Sequence, residues 1–343
     1  MKKLSSVKNI KMGIIGCGLI TSELRFFSKL LKNVKIQAAT DLILKRAVKI
    51  ARKEHAYTNV EKMFMNEDFD AVYIATPHFL HKKFIEQAFI EGKHILCEKP
   101  VTISLDDARE ILKLDKRYKN LKLGFNHQYR YDPNCANLIQ GIKKNQLGDI
   151  YYSNCNVFFS RDLNYFNKGG WRTKIATAGG GTLLSQGSHI IDIMIWALGE
   201  PKSVIGKISN LKFKNIEVED IGFGIVEFEN GILGQINNSM IVEPRIRAAD
   251  DICELLIFGQ KGRVTYLGPW PSSIEWFGAI NLKTITELED TPPFITSINS
   301  FGEWILEDKP FLNTTEESTK VLRLIMALYK SSKTGKKEKI EKL

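Results

Sequence analysis

The chain has 343 residues, 43% of them hydrophobic and 26% charged, an ordinary globular composition that excludes a disordered or fibrous protein. That length exceeds what one hydrophobic core fills, about 250–300 residues, so two domains are expected. The formal net charge of +10 allows an anionic partner, yet Lys and Arg are dispersed. The densest patch, Lys336-Lys337-Glu338-Lys339, is broken by Glu and lacks interleaved aromatics, so no nucleic acid is expected.

No apolar stretch approaches the ~18 residues of a membrane helix. Met1-Lys2-Lys3-Leu4-Ser5-Ser6 has no signal-peptide core. Neither membrane insertion nor secretion is expected. The five cysteines are widely spaced with no C-x-x-C, which encodes neither a disulfide framework nor a metal site and suits a reducing, cytoplasmic location.

In chain order, residues 11–15 read as a buried strand, 19–32 as a helix, 35–40 as a second strand and 44–53 as a helix. Strand 71–75, helix 82–90, strand 94–97, helix 105–114 and strand 121–125 follow. Strands alternating with helices on this period predict a doubly wound parallel sheet. Past residue 127 the pattern changes to longer strands at 151–159, 204–209, 221–228, 232–239, 252–258 and 263–266. Glu229-Asn230-Gly231 makes a hairpin turn. One long helix, 183–198, interrupts these strands. A last helix starts at Asn313, with Glu316 as a capping-box analogue. The expected fold is α/β: a nucleotide-binding domain over 1–127, then an α+β domain over 128–343 with a large, mostly antiparallel open sheet.

Gly16 and Gly18, in Gly13-Ile14-Ile15-Gly16-Cys17-Gly18-Leu19-Ile20-Thr21, close the first strand and open a helix, the context of a dinucleotide fingerprint. The phosphates would meet free N–H groups and the positive end of that helix. Thr21 takes the third glycine position and is expected to loosen helix–strand packing. Asp41, 23 residues past Gly18, ends the second strand, where a carboxylate accepts the ribose hydroxyls and repels a 2′-phosphate. NAD is therefore expected over NADP, although Lys45 and Arg46 follow a turn later.

Asp70-Ala71-Val72-Tyr73-Ile74-Ala75-Thr76-Pro77, then His81, then Gly92-Lys93-His94-Ile95-Leu96-Cys97-Glu98-Lys99-Pro100, resembles the glucose–fructose oxidoreductase/inositol dehydrogenase (Gfo/Idh/MocA) family. So does Gly179-Gly180-Gly181-Thr182-Leu183-Leu184-Ser185-Gln186-Gly187-Ser188-His189-Ile190-Ile191-Asp192, with Trp171-Arg172 before it and Val218-Glu219-Asp220 after it. The resemblance implies a Rossmann domain and an NAD(P)-dependent dehydrogenase acting on CH–OH groups of a sugar, cyclitol or nucleotide sugar. It also implies a homodimer or homotetramer through the C-terminal sheet. The implied cofactor shell is Gly16, Gly18, Leu19, Ile20, Asp41, Arg46, Thr76, Pro77, His78, His81, Glu98, Lys99, Asn126, Trp171 and Arg172. A cis Lys99–Pro100 bond is implied too.

Oxidising a secondary alcohol needs a base for the hydroxyl proton and a positive group at the oxygen. The resemblance gives Lys99 the second role. His189, with an ordinary pKa near working pH, suits the first. Asp192 resembles the family's acceptor for substrate hydroxyls. Ser185 is a departure, holding a hydroxyl where many members carry a carboxylate. His78, where Asn is frequent, is another. Arg130 and Arg172 occupy positions that face the cleft in relatives. Two rival readings stay open: NAD-dependent glycoside cleavage, and a non-catalytic cofactor-sensing regulator.

Overall fold

Ala71-Val72-Tyr73-Ile74 is apolar at every position and buried throughout, as a strand covered on both faces must be. It lies at the centre of the first sheet. The structure, a computed structural model, describes residues 9–167, 170–241, 251–268, 271–278 and 291–343; the N-terminal stretch 1–6 considered above lies outside them. Strands β1 (Ile10–Ile15), β2 (Val34–Thr40), β3 (Ala56–Tyr57), β4 (Ala71–Ile74), β5 (His94–Glu98) and β6 (Leu123–Asn126) form one parallel sheet in the order β3-β2-β1-β4-β5-β6. The order reverses between β1 and β4, and a crevice opens there at the carboxyl ends of the strands.

The second sheet holds β7 (Ile150–Phe158), β8 (Pro201–Ser209), β9 (Ile221–Phe228), β10 (Leu233–Ser239), β11 (Ile252–Gly259), β12 (Gly262–Gly268), β13 (Ser273–Gly278) and β14 (Glu338–Lys339). Its order is β13-β12-β11-β7-β10-β9-β8-β14, antiparallel except where β10 runs parallel to β7. The inner face packs on the helices Ser188–Leu198 and Thr315–Thr334 through Ile191, Met194, Val226, Phe228, Leu255 and Leu328. The outer face leaves Ile205, Phe223, Ile225, Leu233 and Ile252 exposed. The expected fold class is what the structure shows.

Several elements differ from expectation. The helix expected over 19–32 is broken into Leu19–Ser22, Leu24–Phe27 and a 3₁₀ turn, Ser28–Leu30. The helix expected over 44–53 is Leu44–Ala47 alone. Among the helices that went unread are Val60–Asn66, capped by Asn59, Pro133–Lys143, capped by Asp132 with proline in its first turn, and Pro293–Glu307. The last helix is capped by Thr314, whose hydroxyl accepts from Glu317 N, not by Asn313. Asn313 instead pairs its carbonyl with Phe125 N across the sheet edge.

One helix packs across the division expected at residue 127. The helix Pro293–Glu307 returns to the first sheet, where Phe294, Ile295, Ile298 and Phe301, with Phe311, share a core with Ile10, Met12, Ile14 and Leu96. Asn299 ties it down, accepting from Lys32 N at 2.8 Å and donating to Leu30 O at 3.1 Å. The nucleotide domain is therefore completed by a segment from the far end of the chain. Among the described residues no helix is long and apolar enough to cross a membrane. All five cysteines are buried and unpaired.

Phe301 tests that assignment. Phe301→Ala empties a fully buried site between the returning helix and the first sheet, and a loss of about 3–5 kcal/mol is expected. Denaturant unfolding should show the loss in the transition that reports the nucleotide domain. A change below about 1 kcal/mol would mean that the helix is not part of that core.

Candidate active site

The crevice above β1 and β4 continues under the second sheet as one cleft of about 1200 Å³. Single small-molecule sites span roughly 300–1,000 Å³, so a cofactor and a substrate fit together. At its nucleotide end Gly16 has φ +93°, and a Cβ there would meet Ala75 O at 2.7 Å, so only glycine lets the turn press against β4. Beside Gly18 the space is open. The following helix is only four residues long. A phosphate would therefore be held by individual N–H groups more than by a helix dipole. The buried Thr21 does not loosen the turn: its hydroxyl reaches Gly16 O at 3.2 Å and Gly18 O at 3.3 Å.

Asp41 is fixed by two main-chain donors, Cys17 N at 2.9 Å on Oδ2 and Ile43 N at 2.8 Å on Oδ1. Each oxygen keeps a lone pair for a ribose hydroxyl. Arg46 stands 3.9 Å from the same carboxylate, neutralising it in part. Leu19, Ile20, Thr76, Pro77 and His78 line the same cleft. This donor set, with the glycine cradle, fits a dinucleotide.

Where the sheet meets the second domain, β5 delivers Glu98 and Lys99, and the Lys99–Pro100 bond is cis as expected. The Glu98 carboxylate accepts from Asn126 Nδ2 at 2.7 Å and from the Tyr73 hydroxyl. Burial pushes Glu98 up, against the pull of those hydrogen bonds and of Lys99. Asn126 is thus one layer behind Glu98, buried and outside the cleft lining, because its side chain turns onto the neighbouring strands. His81 is likewise behind the wall. Its ring nitrogens lie 2.8 Å from Pro100 O and 3.1 Å from Thr76 O, bracing the two loops that reach the cleft. His78 does line the cleft, with Nδ1 2.9 Å from Ala178 O and its ring edge-on to Trp171.

The Lys99 ammonium crosses to the second domain and donates to the main-chain carbonyl of Ser185. Burial lowers its pKa to about 8, with Arg172 adding to the effect and Glu98 opposing it. Ser185 belongs to a π-helical turn, Leu183–Gly187, that leads into the helix Ser188–Leu198. The Ser185 hydroxyl donates back to Gly181 O at 2.7 Å, so the carbonyl, not the side chain, meets Lys99. One turn on, His189 lines the cleft and stacks on Tyr129, ring centroids 4.5 Å apart and 14° from parallel. Burial first, then Lys99 and His127, hold its pKa well below the usual histidine value, so the ring is neutral.

Asp192 and Arg130 do not face the cleft. Both are buried, joined by Arg130 Nε and Nη2 to the two carboxylate oxygens at 2.8 Å each, and neither lines the cavity. A buried carboxylate needs such a partner, and the fork leaves little for a substrate hydroxyl. Trp171 and Arg172 do line it, the Arg172 guanidinium 4.4 Å from the Trp171 ring centroid and 5.1 Å from that of Tyr165.

The structure adds residues that had no role before. Glu219 accepts from Gly181 N at 2.7 Å, Leu183 N at 3.0 Å and the Tyr329 hydroxyl at 2.8 Å, anchoring the glycine loop ahead of His189. A Cβ on Gly181 would sit 1.8 Å from Glu219 O, so only glycine packs against this anchor. Burial carries the Glu219 carboxyl up to about 7. Val218-Glu219-Asp220 stood out in the sequence, and Tyr329 reaches it from the last helix.

Two family descriptions match the chain: the oxidoreductase family with NAD-binding Rossmann fold over residues 10–127, and the Gfo/Idh/MocA C-terminal domain over residues 136–265. The chain belongs to this oxidoreductase family. Among its relatives is the D-glucoside 3-dehydrogenase of Escherichia coli, 25% identical over 98% of this chain and 99% of that protein. An uncharacterised oxidoreductase of Schizosaccharomyces pombe is 30% identical over 62% of this chain and 58% of that protein. Among solved structures, the WlbA dehydrogenase of Chromobacterium violaceum, in complex with NADH and UDP-GlcNAcA, superposes with a TM-score of 0.87. Its identity is 26%, covering 98% of this chain and 97% of that one. Gfo/Idh/MocA membership confirms an oxidoreductase with an NAD-binding Rossmann domain and dehydrogenase relatives.

Because Ser185 meets Lys99 through its main chain, Ser185→Ala should leave turnover within about fivefold of wild type, a lost hydroxyl-to-carbonyl bond being worth only about 1 kcal/mol. Steady-state kinetics on the best substrate would check this. A drop of a hundredfold would return the hydroxyl to the chemistry.

Proposed function

We propose that the protein is an NAD-dependent dehydrogenase that oxidises a secondary carbinol of a sugar, cyclitol or nucleotide sugar. One observation carries the reading. Lys99 from the nucleotide domain and His189 from the sheet domain line one cleft, the ammonium bonded one turn ahead of the histidine. Gly16, Gly18 and Asp41 hold the dinucleotide, and Glu98, His78, Trp171 and Arg172 border its reactive end. NAD, when bound, takes up the hydride. The neutral His189 ring accepts the hydroxyl proton, while the Lys99 ammonium donates to the oxygen as negative charge develops there. Tyr165, Phe166 and Trp171 line the substrate side, where flat apolar faces suit the C–H surface of a sugar ring. The printed ligands and activities of the relatives support a sugar or nucleotide sugar as the substrate class. Five buried, unpaired cysteines support a reducing, cytoplasmic location.

Absorbance of NADH on mixing the protein with NAD and a panel of glycosides, inositols and nucleotide sugars tests the reaction. NAD should serve better than NADP, because Asp41 offers lone pairs to a ribose diol and repulsion to a 2′-phosphate. Lys99→Ala and His189→Ala should each lower kcat by at least about 100-fold with NAD affinity nearly unchanged. The pH profile carries a sign. Lys99 must be charged to donate, and its pKa near 8 means that kcat/KM falls as pH rises through about 8. A rate that climbs through that range would make Lys99 the base and displace His189. Glycoside hydrolysis that needs NAD yet yields no NADH would select redox-assisted cleavage instead.

The assembly follows from the second sheet. Ile205 pairs across the ladder with Ile225, and Phe223, Leu233 and Ile252 extend the same uncovered apolar face. We infer that a second copy covers it, since monomers rarely leave a large contiguous apolar patch in water. Sedimentation equilibrium should give a dimer or tetramer, and Ile225→Lys should shift it toward monomer. A monomeric wild type would remove the inference.

A further inference from the structure

Behind the cleft wall lies an imidazole that the chemistry above does not use. His127 follows β6 and precedes the turn Gln128–Tyr131, and 2% of its side chain is exposed. Neither ring nitrogen has a hydrogen-bond partner among the described residues. Leaving a buried polar group in that condition costs about 1–3 kcal/mol. The adjoining orphan is His189, whose Nδ1 is also buried and unpartnered while its ring reaches the cleft.

The two histidines are brought together by two fixed contacts. Tyr129 stacks on His189, and Arg130 forks onto Asp192 three residues further along the same helix. His127 is carried by the same turn as Tyr129 and Arg130. Its Nδ1 stands 3.8 Å from Asp192 Oδ1, and a charge on its ring opposes one on His189. The charged and titratable groups around it are Asp192 and Arg130 on the inner side, and Lys99 and His189 toward the cleft. Ser185, whose place could have supplied a carboxylate to His189, turns its hydroxyl to Gly181.

We propose that His127 is the positioning residue for His189: its ring accepts the Nδ1–H of His189 through one bridging water, and so keeps Nε2 of His189 a bare base toward the cleft. The idea rests on His189 acting as the base. Which imidazole nitrogen carries the proton is set by what the other one bonds. Burial holds the His127 ring down to about 4, against the pull of Asp192, so it is a neutral acceptor at working pH. In the oxidation, the substrate O–H bond breaks and its proton forms the new Nε2–H bond, while the hydride goes to the oxidised nicotinamide. The imidazolium that results keeps its Nδ1–H on the water that bridges to His127, now as a charge-assisted bond, with the Asp192 carboxylate behind. No proton leaves the pair until turnover reverses or solvent enters.

The test uses the full-length protein. Imidazole ¹⁵N NMR without cofactor or substrate should find His189 wholly in its Nδ1–H form. In His127→Phe, which keeps a ring but no acceptor, the two tautomers should mix. His127→Asn, whose Oδ1 can accept, should restore the wild-type pattern. In turnover, His127→Phe should lower kcat by about 10- to 100-fold, part of the 10²–10⁴ that a positioned base supplies. KM for NAD should stay within about twofold, and His127→Asn should recover most of the rate. Should the Phe variant fail to fold by circular dichroism, His127→Leu gives the same comparison. A His189 tautomer unchanged in the non-acceptor variant, or an Asn variant as slow as Phe, would overturn the proposal. Wild-type protein that forms no NADH but shows the tautomer shift would sink the dehydrogenase reading and leave the pairing standing.

Discussion

The Arg130–Asp192 pair is the constraint on which the site's geometry depends. Taking both charges out of water carries a penalty of several kcal/mol per ion, recovered only when the fork is well formed and the remaining donors are satisfied. Both conditions hold. The two 2.8 Å bonds are in place, Arg130 Nη1 also donates to Leu312 O at 3.0 Å, and Trp196 covers the guanidinium. Removing either partner would strand a buried charge at a cost of about 3–5 kcal/mol. The fork therefore fixes where the turn Gln128–Tyr131, leaving the first sheet, meets the helix Ser188–Leu198 of the second domain. Tyr129 then has one place to lie, flat against His189, and the histidine has one orientation toward the cleft.

From the other side, the cleft is closed by a weaker and more adjustable contact. Lys99 reaches across to a main-chain carbonyl, which accepts without a countercharge. A carbonyl dipole holds an ammonium in place but does not restore its usual pKa in a partly desolvated cleft. Glu98 next to it could do so, yet it is raised by its own burial and shares its oxygen with Tyr73 and Asn126. The nucleotide sheet and the glycine loop before His189 are therefore coupled through one proton-bearing group. The anchor of that loop, Glu219 with Tyr329, comes from the loop leading into β9 and from the last helix. Each domain thus contributes both a reactive group and the scaffold that holds the other's.

The parallel sheet, the glycine turn and Asp41 were legible because each follows from local chemistry: alternating strand and helix periods, a positive φ, and a carboxylate at a strand end. Lys99 and His189 were reached through resemblance, since a lysine before proline and a histidine in an apolar helix say little alone. What escaped was set by tertiary contact. The helix Pro293–Glu307 carries a readable apolar stripe, but nothing local says that it returns to a sheet nearly two hundred residues earlier. Asp192 and Arg130 carry the charges of site residues, and only packing reveals that each satisfies the other. Asn126 and His81 lie behind the cleft wall for a related reason: polar side chains near a site often support it from behind, where hydrogen bonds to strand ends and carbonyls use up their capacity.

Serine at position 185 puts a hydroxyl, turned onto Gly181 O, where a carboxylate would face His189. A carboxylate there would stand one helical turn from His189 and beside the Lys99 ammonium, and opposite charge within about 4–6 Å favours the charged form of a base. Lys99 would then be driven back toward its ordinary value, and His189 would be drawn toward the imidazolium, unable to accept a proton. With serine the cleft keeps its positive bias: Lys99 falls to about 8 and His189 stays neutral, each beside the other. The two groups are then charged and uncharged as alcohol oxidation needs, a donor at the oxygen and a bare base for its proton. The absence of a carboxylate at position 185 thus separates the two protonation states by burial and mutual repulsion, and the orientation that a carboxylate would have given His189 has to come from the aromatic stack and the buried groups behind it.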